Sequence, residues 1–290
     1  MFPILETKEI AKNVYLQRIL ASRVAKKRKA GQFLVLRRTD DGERIPLTIV
    51  SSDAVEGTVT IIFQAVGKST TEFARMKAGD AYLDVVGPLG LATHIENFGT
   101  VVGIGGGIGA APLLPIATAI KGEGNRLLSI VGARTKDLLI LEDEMRAVSD
   151  EIVVTTDDGS YAKKGFVTTA LQEFIDRGEK IGLCIAIGPV PMMRAVAEVT
   201  RPHGIKIMVS LNPIMVDATG MCGACRVTVG GATKFVCVDG PEFDGHQVDF
   251  KQLVMRNRAY LREEKVAMER IEHKDGKCMG GAAVPVGGGN

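Results

Sequence analysis

The run Thr100–Lys121, TVVGIGGGIGAAPLLPIATAIK, decides how this chain is to be read. Thr100–Ile104 is a short apolar stretch that suits a buried strand. Gly105–Pro112, GGGIGAAP, is a glycine turn that feeds a helix. The surrounding run Phe98–Ile120 holds no charge over 23 residues, long enough for a membrane span. Its six glycines and two prolines favour a strand, a turn and a buried helix instead, and no membrane span is expected.

Downstream of this run, strands at Leu127–Ala133, Glu151–Thr155, Ile181–Ile187 and Lys206–Leu211 alternate with helical stretches at Leu139–Val148, Phe166–Arg177 and Val190–Thr200. Such alternation predicts a parallel sheet covered on both faces, with ligands at the carboxyl ends of its strands. Upstream the period changes. Ala11–Leu20, Gln32–Arg37, Arg44–Val50, Thr58–Ala65 and Ala81–Val86 are short β-rich runs between turn residues, which predict a small antiparallel barrel. The fold class expected is therefore β-barrel plus α/β. The barrel takes 1–97, the nucleotide-binding domain 98–211, a cysteine segment 212–250 and a helical tail 251–290.

Composition narrows the function. The chain has 290 residues and a formal net charge of +2, which gives no reason to expect nucleic acid as a partner. Five cysteines, three of them clustered, do not look like a secreted disulfide framework. No signal peptide opens MFPILETKEIAKN, so a cytoplasmic location is expected.

The glycine turn could cradle a pyrophosphate at a helix N-terminus, through Gly105, Gly106, Gly107, Ile108, Gly109, Ala110 and Pro112. The plain alternative is a tight helix–sheet turn. Gly67–Thr70, GKST, opens another short helix and offers either a second phosphate cradle or an ordinary N-cap at Ser69 or Thr70. Asp157 and Asp158 in TTDDGS, and the Gly188–Pro189 pair, follow strands of the predicted parallel sheet on its ligand side. Arg134 follows another strand and could meet a cofactor phosphate or remain solvated.

The cysteine segment carries the redox signal. Asp217–Cys237, DATGMCGACRVTVGGATKFVC, spaces its ligands as D-x4-C-x2-C-x11-C over Asp217, Cys222, Cys225 and Cys237. Two thiolates two residues apart reach one metal centre from a tight loop, as in ferredoxin-type iron–sulfur sites. A zinc site of three thiolates and an oxygen is the competing reading, and it would make the chain a zinc-stabilised binding module. Cys184 reads as a buried small hydrophobe, and Cys278 is unassigned.

Barrel, parallel nucleotide domain and cysteine loop, in that order, resemble the ferredoxin–NADP reductase superfamily. The likeness is greatest to its dihydroorotate dehydrogenase electron-transfer-subunit branch. It implies FAD on the barrel. Pro46, Leu47 and Thr48 fall in the slot of the family's Arg-x-aromatic-Ser/Thr motif, with Arg44 one position early and Leu47 replacing the aromatic. Ile62 precedes a second echo, Phe63-Gln64-Ala65-Val66-Gly67-Lys68-Ser69-Thr70, in which Gln64 replaces Arg and Ser69 replaces Gly. The glycine turn and the Gly188–Pro189 loop match the family's nicotinamide-nucleotide contacts. Arg134 could serve a 2′-phosphate, so both NAD(H) and NADP(H) stay open.

The branch normally places a fourth cysteine where Asp217 stands. An Asp-plus-three-Cys site is similar to electron-bifurcating members of the superfamily. The resemblance implies electron flow between NAD(H), FAD and a [2Fe–2S] cluster. It also implies a larger partner subunit with flavin and [4Fe–4S] centres that binds NADPH, with ferredoxin served through the complex. An electron-transfer subunit for dihydroorotate or another dehydrogenase is the alternative.

Overall fold

The computed structural model describes residues 1–274. The barrel is a seven-stranded antiparallel sheet made of β1 (Phe2–Ala11), β2 (Val14–Leu20), β3 (Phe33–Arg37), β4 (Ile45–Asp53), β5 (Thr58–Gln64), β6 (Ala81–Tyr82) and β7 (Asp84–Leu89), in the order β6-β1-β2-β5-β4-β3-β7. One stretch of chain, 81–89, nearly closes it, because its first residues pair with β1 and the rest with β3. Two short helices flank the sheet, α1 (Ser22–Lys27) and α2 (Lys68–Ala74). Phe63, Phe73 and Tyr82 stack edge to face inside. Buried Gln17 ties the interior together by donating to the Phe73 carbonyl and accepting from the Tyr82 hydroxyl, so its buried amide is satisfied.

The expected strand Ala11–Leu20 contains the whole of β2 but runs back through a turn into the last residue of β1. Asn13 takes a left-handed φ of 58° and reverses the chain after Ala11. The first of the pair, Phe2–Ala11, escapes a search for apolar runs because Glu6, Lys8 and Glu9 punctuate it.

The second sheet has the order β11-β10-β9-β8-β12-β13-β16. Its members are β8 (Thr100–Gly106), β9 (Arg126–Ala133), β10 (Glu151–Thr156), β11 (Lys163–Lys164), β12 (Ile181–Ile187), β13 (Ile207–Ser210) and β16 (Glu242–Asp244). Helices α3 (Ala110–Gly122) and α4 (Glu142–Val148) cover one face and share a core with the barrel through Val14, Val50 and Ile62. Helices α5 (Val167–Asp176) and α6 (Val190–Thr200) cover the other. Strands β8 and β12 lie side by side although their helices leave to opposite faces, which makes their carboxyl ends the switch point of the sheet.

The cysteine segment is not a separate lobe. It forms the hairpin β14 (Arg226–Val229) and β15 (Ala232–Phe235), the single turn α7 (Val236–Asp239), and then β16. Gly230 and Gly231, both with positive φ, make the two-residue turn. Strand β16 adds antiparallel to the edge of an otherwise parallel sheet. Cys225, Val227, Val236 and Cys237 share one core with Val102, Ile104 and barrel residue Phe33. The helix expected from residue 251 is broken into α8 (Phe250–Arg256) and α9 (Leu261–Lys274), which packs near α2. Cys278 and the rest of the expected tail lie outside the described residues. Among the described residues no helix is long and apolar enough to cross a membrane.

Candidate functional site

At the switch point the glycines divide by cause. A Cβ on Gly105 would stand 2.9 Å from the Ala110 Cα, one on Gly106 2.3 Å from Met192 Sδ, and one on Gly109 2.1 Å from the Ile187 carbonyl oxygen. Gly105 and Gly109 are fixed by main chain packed against them, while the obstacle at Gly106 is the movable end of Met192. Gly107 differs, since its φ is +55° and a Cβ there would meet open space. It is the position in the turn where the backbone stays uncovered. Gly188 closes the opposite wall, within 3.0 Å of the Gly106 carbonyl oxygen when a Cβ is built on it. Ile108 is half-buried, Ala110 is fully buried, and Pro112 lies in the first turn of α3.

Beside this crevice a cavity of about 490 Å³ opens between the barrel and the sheet. Lys12, Asn13 and Gln64 line it from the barrel, and Arg134, Lys136, Asp158 and Ser160 from the loops after β9 and β10. Asp157 and Asp158 knit those loops, their amides donating to the Ala133 and Arg134 carbonyls. Burial pushes the Asp157 carboxyl up, against the pull of nearby Arg134. A hydrogen bond from the Ser160 hydroxyl holds Asp158 below the usual carboxylate range. Ser160 ends the TTDDGS stretch, but Lys12, Asn13 and Lys136 carry no motif in the sequence. Of those three, only Asn13 is a turn residue.

On the barrel, Pro46, Leu47 and Thr48 run half-buried along β4 opposite Val35, Leu34 and Phe33. Ile62 and Phe63 are committed to two different cores, so their side chains are packing residues. The Gly67–Thr70 turn is internally capped. The Thr70 hydroxyl oxygen accepts from the Val66 and Gly67 amides, each at 3.1 Å. The Ser69 hydroxyl, with Lys68 beside it, donates to the Glu43 carboxylate. Arg44 does not turn to that cap. Its Nη2 donates to the Asp217 carbonyl at 3.0 Å and so joins the barrel to the cysteine loop.

In that loop the four expected ligands fall into two pairs. Asp217 Oδ1 accepts from the Thr219 amide at 2.6 Å and from the Thr219 hydroxyl, and Oδ2 accepts from the Cys222 amide at 2.8 Å. The Thr219 hydroxyl and the Cys222 thiol together hold the carboxyl well below its usual range. The second pair is buried. The Cys237 amide points at Cys225 Sγ, 3.5 Å away, and burial, reinforced by Cys225, pushes the Cys237 thiol up to about 12. The Ala224 amide likewise points at Cys222 Sγ at 3.5 Å.

Among the described residues no three His, Cys, Asp or Glu groups already converge on one metal position. Two separate pairs suit a two-iron cluster, which takes two protein donors at each iron, better than a single tetrahedral ion. Amides aimed at two of the sulfurs fit charged thiolates, and a cation is what would allow two buried thiols to ionise side by side. Asp217 Oδ2 keeps acceptor capacity beyond its one amide, so its turn-forming role and a ligand role are compatible.

Comparisons with known proteins fall on the same regions. Residues 212–249 match the iron–sulfur cluster binding domain of dihydroorotate dehydrogenase B, and residues 104–198 match the oxidoreductase NAD-binding domain. A dihydroorotate dehydrogenase B (NAD(+)) electron transfer subunit homolog from Thermotoga maritima is 48% identical over 92% of this chain and 94% of its own. A solved chain of an NADH-dependent reduced ferredoxin–NADP oxidoreductase, studied for flavin-based electron bifurcation, superposes with a TM-score of 0.89. It is 47% identical, over 93% of this chain and 98% of that one. A ferredoxin NADP+ reductase from Neisseria gonorrhoeae, 19% identical with a TM-score of 0.58, covers 72% of this chain and 96% of its own and shares the fold.

Proposed function

This chain belongs to the dihydroorotate dehydrogenase B electron-transfer-subunit family, and from that premise we propose that it is the NAD(H)-side subunit of an electron-bifurcating NADH-dependent ferredoxin–NADP oxidoreductase. It is an oxidoreductase subunit that uses FAD, a [2Fe–2S] cluster and NAD(H). The observation that carries this reading is the loop holding Asp217 with Cys222 and Cys225 with Cys237 in two pairs, tied to the barrel by Arg44.

When bound, the cofactors supply hydride exchange between nicotinamide and flavin and the division of that pair into single electrons. The chain's own residues bind and orient. Gly107 leaves the main chain open where a pyrophosphate would lie at the start of α3. Arg134 and Lys136 bring positive charge to the cavity for the far end of a dinucleotide. Pro46, Leu47 and Thr48 offer a half-buried strand surface to the flavin. Cys222, Cys225, Cys237 and Asp217 would hold the cluster. The partner would be a larger subunit with flavin and [4Fe–4S] centres that binds NADPH, ferredoxin would be the low-potential partner of the complex, and the location would be cytoplasmic.

Purification from the native host tests this reading. The expected result is flavin and [2Fe–2S] absorption together with a co-eluting subunit that oxidises NADPH. A co-eluting dihydroorotate-oxidising subunit would instead establish the second reading, which the family's own name favours. Asp217→Cys should keep a [2Fe–2S] cluster but change its reduction potential and electron paramagnetic resonance spectrum. An unchanged spectrum and potential would remove Asp217 from the ligand set.

A further inference from the structure

Three guanidinium groups close on the main chain of the cysteine loop, each from a different element. Arg44 at the mouth of β4 donates to the Asp217 carbonyl at 3.0 Å. Arg256, in the last turn of α8, donates from Nη2 to the Ala224 carbonyl at 3.0 Å. Arg226, at the start of β14, donates from Nη1 to the Gly223 carbonyl at 3.1 Å. Arg226 is exposed and local. Arg44 and Arg256 are half-buried and reach 173 and 32 residues along the chain.

Each of those two also buries an Nε that finds no acceptor. No carboxylate pairs with either among the described residues. A cation taken partly out of water without a counter-ion is costly. The loop they grip carries the anionic ligand set of Asp217 and the three cysteines. The grip is also mechanical. The Asp217 carbonyl leads directly into Ala218, a buried non-glycine residue at φ +64°, a conformation that persists only when its surroundings hold it.

We propose that Arg44 and Arg256 are positioning residues that hold the two halves of the ligand loop and raise the reduction potential of the cluster bound there. The inference rests on the reading of the loop as a [2Fe–2S] site. Reduction adds negative charge, and nearby unpaired cations in a half-buried setting favour the reduced form. Arg226, in solvent, is screened and contributes less. Arg44 also makes the grip a link between the two redox sites, since it immediately precedes the strand that carries Pro46, Leu47 and Thr48.

The test is a redox titration of the loaded chain, followed by electron paramagnetic resonance, with iron and flavin content measured in parallel. Arg44→Gln and Arg256→Gln are expected to lower the cluster midpoint potential, the double variant to lower it further, and Arg226→Gln to move it least. Arg44→Lys and Arg256→Lys, which keep the charge, should titrate close to the unsubstituted chain. Loaded Gln variants with an unchanged midpoint overturn the proposal, and so does a loss of iron with no change of midpoint in the clusters that remain. Should a Gln variant lose its cluster completely, the Lys variants decide: an unshifted midpoint supports the proposal and a lowered one overturns it. An unsubstituted chain with no [2Fe–2S] signal would refute the earlier reading of the loop instead.

Discussion

The glycine turn after β8 and the cysteine loop before β14 reach their shapes by opposite means. The turn is shaped by main chain pressed so close that only glycine fits. Gly105 and Gly109 are required because neighbouring backbone, at Ala110 and Ile187, comes too close for any side chain. The cysteine loop is held from outside. Arg44 arrives from the barrel, Arg256 from α8, and Cys237 returns from beyond a hairpin. Both answer to distant elements, but the turn records its crowding as a run of glycines, whereas nothing beside the cysteines marks the arginines that hold them.

The largest expected effect breaks the turn. Gly109→Ala would place a Cβ against the Ile187 carbonyl, and overpacking of this kind should cost about 3 kcal/mol or more in urea unfolding. A near-native midpoint would show that the turn yields more easily than its packing implies.

The next tests the outside anchorage. Glu242, five residues beyond Cys237 on β16, accepts from the Thr93 hydroxyl at 2.7 Å and lies close to Gly31 of the barrel. Burial raises its carboxyl to about 7, against the lowering effect of that hydrogen bond. The folded chain therefore holds a proton that the unfolded chain gives up near its ordinary carboxylate pKa. The associated stability is fully present below that value and is lost as pH rises through about 7. The swing is on the order of 2–3 kcal/mol. Glu242→Gln should flatten the fall in stability between pH 5 and pH 8, measured by urea unfolding at each pH. An unchanged slope would remove Glu242 as its source.

Within the loop the two ligand pairs should differ. Cys225→Ser puts a hydroxyl into an apolar core and should cost about 2 kcal/mol of stability, while Cys222→Ser on the surface should stay within about 0.5 kcal/mol. Denaturation of the metal-free chain measures both. The last effect returns to the turn, and only that of Cys222→Ser is smaller. Gly107→Ala meets no atom and pays only for its left-handed φ, about 1 kcal/mol, so a loss as large as that of Gly109→Ala would erase the distinction between the two glycines.

Much of the fold was legible because its patterns are local. The alternation after Asn97 gave the parallel sheet, and every strand expected there appears within a few residues. The turn at Asn13 is hidden because the charged β1 lacks an apolar run, and the break between α8 and α9 because residues 256–264 hold no glycine or proline to mark it. For the site, the spacing of the cysteines gave the ligand candidates but not their pairing. The FAD motif echo placed Ile62 and Phe63 beside the cofactor, although their side chains are spent on two cores. Arg44 had the right type for a phosphate contact and found a peptide carbonyl 173 residues away.

The sequence by itself determined the order of barrel, nucleotide sheet and cysteine loop, the glycine turn, and the four candidate ligands, Asp217 among them. These are matters of composition, periodicity and spacing within a few turns of chain. Only the tertiary structure decided which glycine faces open space, how the four candidate ligands are grouped, that β16 sews the cysteine segment into the sheet, and which arginines hold the loop. Each of those depends on a contact between distant residues, and the geometry of such a contact is fixed by packing that no local pattern records.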